Sequence, residues 1–394
     1  MELEKLRHVL ETHDTIRDLV YAVDPFETEP TVEAAHRLLN DPLRTIKDKA
    51  PQRNDWLLYD HCAALTRMYS IFKKFIEDLA TEYLFLLPSL YPQYSDLPLR
   101  VATQHRLGVA QILQKLGKDG PYKDLVESDV IRGLALGQSG CTYTLLPEAF
   151  LIDPQNYRAE VVNRIFQYLG LDDIWSGLER HPRVIHFMDN RDVTETPRTL
   201  LKKLVDERNL ASHTGTLQIW ALPELRAYTE FLAIVAEVLA GLVMKSAVLR
   251  KLSLREFIEQ GTVIHKFRDN IVGAALSSGE IAVGDRVTVI AKHGSFVAEV
   301  LSLEVAHRRF EHIAAPPPVL IGIKFDIPLG LGSRLVRYAE QLSLPAAGTG
   351  SPSEPVTPDD YPINDSSSIT SLEPVDNSKG EPVNIADITS SINQ

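Results

Sequence analysis

Apolar residues recur every three or four positions from Asp55 to Leu87, and this spacing constrains the fold more than any other feature. A helix with 3.6 residues per turn brings side chains at such intervals onto one stripe. Asp55 before Trp56 is a suitable N-cap, and Pro88 is expected to stop the helix. The stripe consists of Leu65, Met68, Phe72, Phe75, Leu79 and Tyr83. The charged residues between them, which include Lys73, Lys74, Glu77 and Asp78, are interpreted as a solvated helix face.

Further helices follow, and together they predict a predominantly helical domain of about 200 residues. Residues 1–50 are interpreted as two short helices separated by prolines. The longest apolar run, 231–244, contains Glu237 and is too short to span a bilayer, so we expect a core helix and no membrane association. The other predicted helices cover residues 98–117, 122–136, 157–171, 199–213 and 223–251.

The pattern changes after Gly261, where valine, isoleucine and glycines at turn positions predict short strands. Residues 281–290 are typical of a strand, a Gly284-Asp285 turn and a second strand. Segments 295–305 and 319–325 predict further strands, and about 80 such residues favour a small β-barrel. From Ala346 onward the composition is rich in Pro, Ser, Asp and Asn, which predicts disorder.

The predicted fold class is therefore mainly α, with a small C-terminal β-barrel. We divide the chain into an N-terminal helical extension (1–50), a helical domain (51–255), a β-barrel (256–340) and a disordered acidic tail (341–394). The formal net charge is −12, and eight Asp or Glu against one Lys after residue 345 account for −7 of it. The mildly acidic remainder does not indicate bulk nucleic-acid binding, so an RNA site would have to be local.

Two cysteines in 394 residues exclude a disulfide scaffold and fit a reducing compartment. Because no signal-peptide pattern is present at the N-terminus, we expect a cytoplasmic protein. The sequence contains no Walker loop, His-Glu-x-x-His pair or cysteine pair, so neither a cofactor nor a metal is predicted. Residues 330–334 lack the third glycine of a dinucleotide-binding loop.

The candidate site is Arg208-Asn209-Leu210-Ala211-Ser212-His213. Arginine offers a planar fork for phosphate oxygens, and histidine can carry a proton near neutral pH. An arginine followed by a histidine five to seven positions later is weak evidence by itself, since it also occurs at Arg7/His13, Arg100/His105, Arg180/His186 and Arg286/His293. Five residues correspond to about 140° around a helix, so Arg208 and His213 would not share one face of an ideal helix.

The context of Arg208 resembles the motif of the HEPN superfamily, in the larger bacterial clade associated with RNA repair and defence. In that motif a small polar residue follows the arginine, as Asn209 does, and the motif lies at a helix end before another long helix. Segments 60–65 and 75–80 also resemble the opening helix of such domains, and the resemblance covers roughly residues 55–250. It implies a helical HEPN bundle and a homodimer in which two motifs meet.

The resemblance implies a metal-independent endoribonuclease acting on RNA as a toxin or antiviral defence effector, with a protein partner or antitoxin. Arg208 and His213 would then be catalytic and Asn209 supporting. Gly215 stands where HEPN toxins silenced by a nucleotidyltransferase carry a tyrosine, so that modification is not expected. The alternatives are a non-catalytic HEPN module that binds RNA or protein, or a helical scaffold in which His213 only caps a helix and Arg208 pairs with Asp206 or Glu207.

The strand segment 279–290, Gly-Glu-Ile-Ala-Val-Gly-Asp-Arg-Val-Thr-Val-Ile, resembles the second domain of translation GTPases. This resemblance implies a binding platform for RNA or protein.

Overall fold

The computed structural model is mainly helical in its first two thirds and mainly β in the remainder. The predicted tail, the whole 23–44 segment and several short loops lie outside the described residues. The structure describes residues 2–22, 45–46, 48–117, 120, 122–152, 156–189, 191, 195–213, 218–268, 270–277, 280–305, 307–314 and 319–339.

The helical part contains two long helices surrounded by shorter ones. The helices are α1 (Glu2–Ala22), α2 (Arg53–Leu90), α3 (Leu99–Lys115), α4 (Glu127–Gln138), α5 (Ala159–Tyr168), α6 (Ile174–Glu179), α7 (Pro182–Asp189), α8 (Pro197–His213) and α9 (Leu222–Ser253).

Helix α2 has the predicted apolar stripe, and Leu65, Met68 and Phe72 are buried in the main core. Removing a Leu, Met or Phe side chain from water stabilises the fold by about 1.5–3 kcal/mol. The expectation that Pro88 ends this helix is wrong, because α2 continues to Leu90 and the Tyr91 N–H bonds the Leu87 carbonyl. A proline this close to the end costs one hydrogen bond, whereas one in the middle would break the helix.

Helix α9 lies against α2 and continues to the barrel. It is the one helix among the described residues that is long and apolar enough to cross a membrane. In this structure Leu232, Val235 and Leu239 are buried in the core, as expected for a core helix. At its C-terminal end the Lys251 Nζ donates to Glu256 Oε2 (3.0 Å) and Tyr338 Oη (3.1 Å), which links the helix to the barrel.

The strands are β1 (Phe257–Arg268), β2 (Ile271–Leu276), β3 (Glu280–Ala282), β4 (Arg286–Ala291), β5 (Gly294–Val305), β6 (Arg308–Phe310), β7 (His312–Ala314), β8 (Val319–Phe325) and β9 (Arg334–Tyr338). Six of them close a barrel in the order β4-β9-β1-β2-β8-β5, since β5 also pairs with β4. All of these pairings are antiparallel. The barrel interior contains the buried residues Val272, Val287, Val300, Ile323 and Leu335.

The Gly284-Asp285 turn does separate two strands, but β3 and β4 do not pair with each other. Strand β3 pairs with β7, while β4 pairs with β5 and β9. Asp285 Oδ2 accepts a hydrogen bond from the Ala282 N–H (2.7 Å) and forms an ion pair with Arg337 (2.6 Å). These two contacts hold the turn in place.

Candidate functional site

Helix α8 carries the candidate motif near its C-terminal end. Thr196 and Thr199 cap its start reciprocally, because each backbone N–H donates to the other's Oγ1 at 2.8 and 3.2 Å. Leu201, Leu204 and Val205 are fully buried. Arg208 lies one turn beyond Leu204, so it lies at the edge of the buried face of α8.

Arg208 contacts the aromatic face of Tyr69 in α2. The guanidinium carbon lies 3.7 Å from the ring centroid, and Tyr69 is 7% exposed. A cation over an aromatic ring at this distance is stabilised by the ring quadrupole, more strongly where water is excluded. Arg208 is therefore held between two helices, and it does not extend from the solvent side of α8.

Tyr69 is itself held by the chain that leads into α5. Its Oη accepts a hydrogen bond from the Tyr157 N–H (3.2 Å), and Tyr157 Oη donates to Glu77 Oε1 (2.5 Å). Burial, together with the bond to Glu77, raises the pKa of Tyr157, so the phenol remains a donor. Lys73 Nζ lies 5.8 Å from the Tyr157 ring centroid. Lys74 and Asp78 form an exposed ion pair, as expected for a solvated helix face. Lys73 and Glu77 are also partly exposed (45% and 33%), but Glu77 in addition accepts the bond from Tyr157.

Polar residues continue this network along α8. Asn209 Nδ2 donates to Asn156 Oδ1 at 3.4 Å. Asp206 accepts hydrogen bonds from Arg158 and from Lys202 Nζ (2.6 Å). Burial opposes ionisation of Asp206, but the bonds from Lys202 and Arg158 outweigh it, so the pKa of Asp206 lies below its usual value. A carboxylate that is anionic at neutral pH therefore lies two residues before Arg208.

His213 is the last residue of α8. Its side chain, like residues 214–217 and hence Gly215, lies outside the described part of the structure. The structure thus brings Arg208 and Asn209 together with Tyr69 and Asn156, and it places His213 five residues further along the same helix.

The other Arg/His pairs have different surroundings. His105 is fully buried, with Nδ1 3.0 Å from Tyr94 Oη, and burial lowers its pKa to about 4. Arg100 pairs with Asp172 at the surface (2.5 Å). His186 and His293 line a cleft of about 730 Å³ between the helical part and the β4–β5 turn.

The described residues contain no group of three or more His, Cys, Asp or Glu that could hold a metal ion.

The two long helices and the shorter helices around them form the bundle that was expected for a HEPN domain. A sequence model of the RiboL-PSP-HEPN family matches residues 35–245, more than half of the chain. The chain therefore belongs to the RiboL-PSP-HEPN family. The matched region includes α2, all of α8 and most of α9, and with them Arg208, Asn209 and His213.

Among solved structures, the C-terminal domain of a putative U32 peptidase from Geobacillus thermoleovorans, as a selenomethionine variant, is similar to a fifth of the chain. The two are 14% identical, and the similarity covers 20% of this chain and 98% of that one, with a TM-score of 0.18. The search of curated proteins gave no match. The resemblance of the barrel to the second domain of translation GTPases stays a prediction.

Proposed function

We propose that this protein is a metal-independent endoribonuclease of HEPN type, with Arg208 and His213 as catalytic residues and Asn209 in a supporting role. The observation that carries the proposal is the family match, since it spans the whole motif and the helices that hold it. The fixed position of Arg208 over Tyr69 adds support. A guanidinium that is already ordered loses less conformational entropy when it binds a phosphate.

The proposed chemistry is attack of a 2′-hydroxyl on the neighbouring phosphate. Arg208 would stabilise the negative charge that builds up on the phosphate oxygens. His213 would transfer protons, as the base for the 2′-hydroxyl or as the acid for the leaving 5′-oxygen. The products would be a 2′,3′-cyclic phosphate and a free 5′-hydroxyl.

One motif supplies only one histidine, while the reaction needs both a base and an acid. We therefore propose a homodimer in which the motifs of two chains form one site, so that the two His213 side chains divide these roles. A toxin or antiviral defence effector is the biological role that fits such an activity, and an antitoxin or other protein partner would control it.

A non-catalytic HEPN module that binds RNA or protein is the second candidate. One observation favours it: Arg208 is partly buried against Tyr69, where a purely structural arginine would also lie.

The test is incubation of the purified protein with total RNA in excess EDTA. We expect cleavage by the wild type and its loss in His213→Ala. His186→Ala is the matched control, because His186 belongs to an Arg/His pair outside the motif. Equal cleavage by wild type and His213→Ala, or no cleavage by any variant, would favour the non-catalytic module.

A further inference from the structure

Phe267 lies on the outer face of the barrel, near the C-terminal end of β1. Its side chain is 63% exposed, and its ring centroid lies 4.4 Å from that of His265 at an interplanar angle of 62°. An exposed aromatic pair keeps a large apolar area in water, which is unfavourable unless a ligand covers it.

Two glycines form a shallow floor beside this ring. Gly273 in β2 lies opposite His265 in β1 and opposite Gly322 in β8. A Cβ on Gly273 would lie 3.3 Å from Phe267 Cε2, which is tighter than nine in ten Cβ contacts in proteins. The absence of a side chain at Gly273 therefore allows the ring to lie close to the sheet.

Three cations lie on the same face of the sheet as Phe267. Strand register places Arg268, Ile271 and Lys324 in one row across the sheet. The adjacent row continues from Gly322 through Glu304 to Arg309.

Both rows lie on the outer face of the barrel. Val272 and Ile323, which alternate with these residues along β2 and β8, are buried inside it. Within the part of the chain that the structure describes, Arg268, Lys324 and Arg309 form no ion pair or side-chain hydrogen bond. Glu304 is the acidic residue in these two rows, and its Oε1 lies 3.5 Å from His307 Nδ1.

We propose that this surface binds single-stranded RNA, with a base stacked on Phe267 and phosphates bound by Arg268, Lys324 and Arg309. The proposal rests on the proposed function for the choice of RNA. An aromatic side chain can stack on a base only when that base is unpaired, so this surface should prefer single strands to duplexes. Since these three cations have no partner among the described residues and the chain has a net charge of −12, we infer a polyanion as ligand in preference to a protein.

Binding of a 2′-O-methyl oligouridine of about twelve nucleotides, followed by fluorescence anisotropy with the full chain, tests the proposal. This probe lacks the hydroxyl needed for cleavage, so binding is measured whether or not the protein is a ribonuclease. We expect Phe267→Ala to weaken the affinity for this probe at least about fivefold, because stacking of one base on one ring contributes at least that factor. Phe267→Trp should keep the wild-type affinity, because it keeps an aromatic ring. Gly273→Ala should also weaken binding, because the new Cβ displaces the ring.

Phe85→Ala is the control for an exposed aromatic residue, since Phe85 is 59% exposed on α2. Lys324→Ala should lower the slope of log affinity against log salt by about 0.7, as expected for one lost phosphate contact. Wild-type affinity in folded Phe267→Ala, or no binding by the wild type, would overturn the proposal. A change in oligomeric state in Phe267→Ala with unchanged RNA affinity would also overturn it, by showing a protein interface.

Discussion

The guanidinium of Arg208 stacks on the ring of Tyr69, 139 positions earlier in the chain, at 3.7 Å from its centroid. This contact joins the motif helix α8 to the long helix α2. The proposed phosphate-binding residue is therefore positioned by the core of the bundle, and its placement depends on a residue that no motif search would select.

Replacing Tyr69 tests whether the ring positions Arg208. Tyr69→Phe keeps the ring and leaves the Tyr157 N–H without its acceptor, which should cost about 1–3 kcal/mol of unfolding free energy. Tyr69→Leu also removes the aromatic face and should cost about 0.5–2 kcal/mol more. Urea unfolding gives both values, and RNA cleavage should fall on the order of tenfold in Tyr69→Leu but little in Tyr69→Phe. Equal cleavage rates in the two variants would show that the ring does not position Arg208.

His105 should make the fold sensitive to acid. Its pKa in the folded protein is about 4, below the usual 6.5, because burial disfavours the charged ring. Between these values the unfolded chain takes up a proton that the folded chain does not. The contribution of neutral His105 to the free energy of unfolding is therefore fully present above pH 6.5 and is lost as the pH drops toward 4. The free energy of unfolding should fall by on the order of 3 kcal/mol over this range.

Urea unfolding at pH 7 and pH 5 measures this effect. His105→Gln keeps an acceptor for the Leu146 N–H, which bonds His105 Nε2 at 3.3 Å, and it should reduce the difference between the two pH values. Replacing the exposed His8 by glutamine is the control and should leave the difference unchanged. If His105→Gln is as acid-sensitive as the wild type, this histidine is not the cause.

Gly108 is required by close packing between α3 and the turn at Ala149. A Cβ at Gly108 would lie 2.1 Å from the Ala149 carbonyl oxygen, so Gly108→Ala should lower the unfolding free energy by about 1–3 kcal/mol. Gly241 in α9 is a matched control, because its Cβ would meet Ser295 O at an ordinary 3.5 Å. There alanine should leave stability unchanged or raise it by up to about 1 kcal/mol through helix propensity. Thermal unfolding of the two variants in parallel should separate them, and equal melting temperatures would contradict the packing argument.

The proposed shared site requires a dimer. Light scattering at the concentration of the cleavage assay should give twice the mass of 44.1 kDa. Activity should fall more steeply than linearly with dilution once monomers form. A protein that cleaves RNA fully as a monomer would show that a single His213 is sufficient.

The helical elements could be predicted where their periodicity is long. Helix α2 was expected over 55–87 and extends over Arg53–Leu90, because its stripe repeats many times. Helices α6 (Ile174–Glu179) and α7 (Pro182–Asp189) were not predicted, since two turns give too few repeats to define a face. Strand β3 was expected, but its pairing with β7 depends on contacts about 30 residues away.

The surroundings of the site could be predicted only in part. Arg208 and Asn209 were selected from local sequence, whereas Tyr69, Glu77 and Tyr157 reach them through the packing of α2, α5 and α8. Such contacts join positions up to 139 apart, and no local pattern contains them. A buried phenol bonded to Glu77 also explains why a charged side chain lies on the inward edge of α2.

Single-turnover cleavage of a defined RNA in EDTA, with the ends of the products identified, tests the central claim most directly. We expect a 2′,3′-cyclic phosphate on the 5′ fragment and a rate loss of about 10²–10⁴-fold in His213→Ala. Arg208→Ala should lose on the order of 10²-fold or more, and Arg208→Lys should recover little, because a point charge replaces neither the planar fork nor its stacking on Tyr69. Loss of wild-type cleavage in EDTA, or full-rate cleavage by a normally folded His213→Ala, would contradict the account.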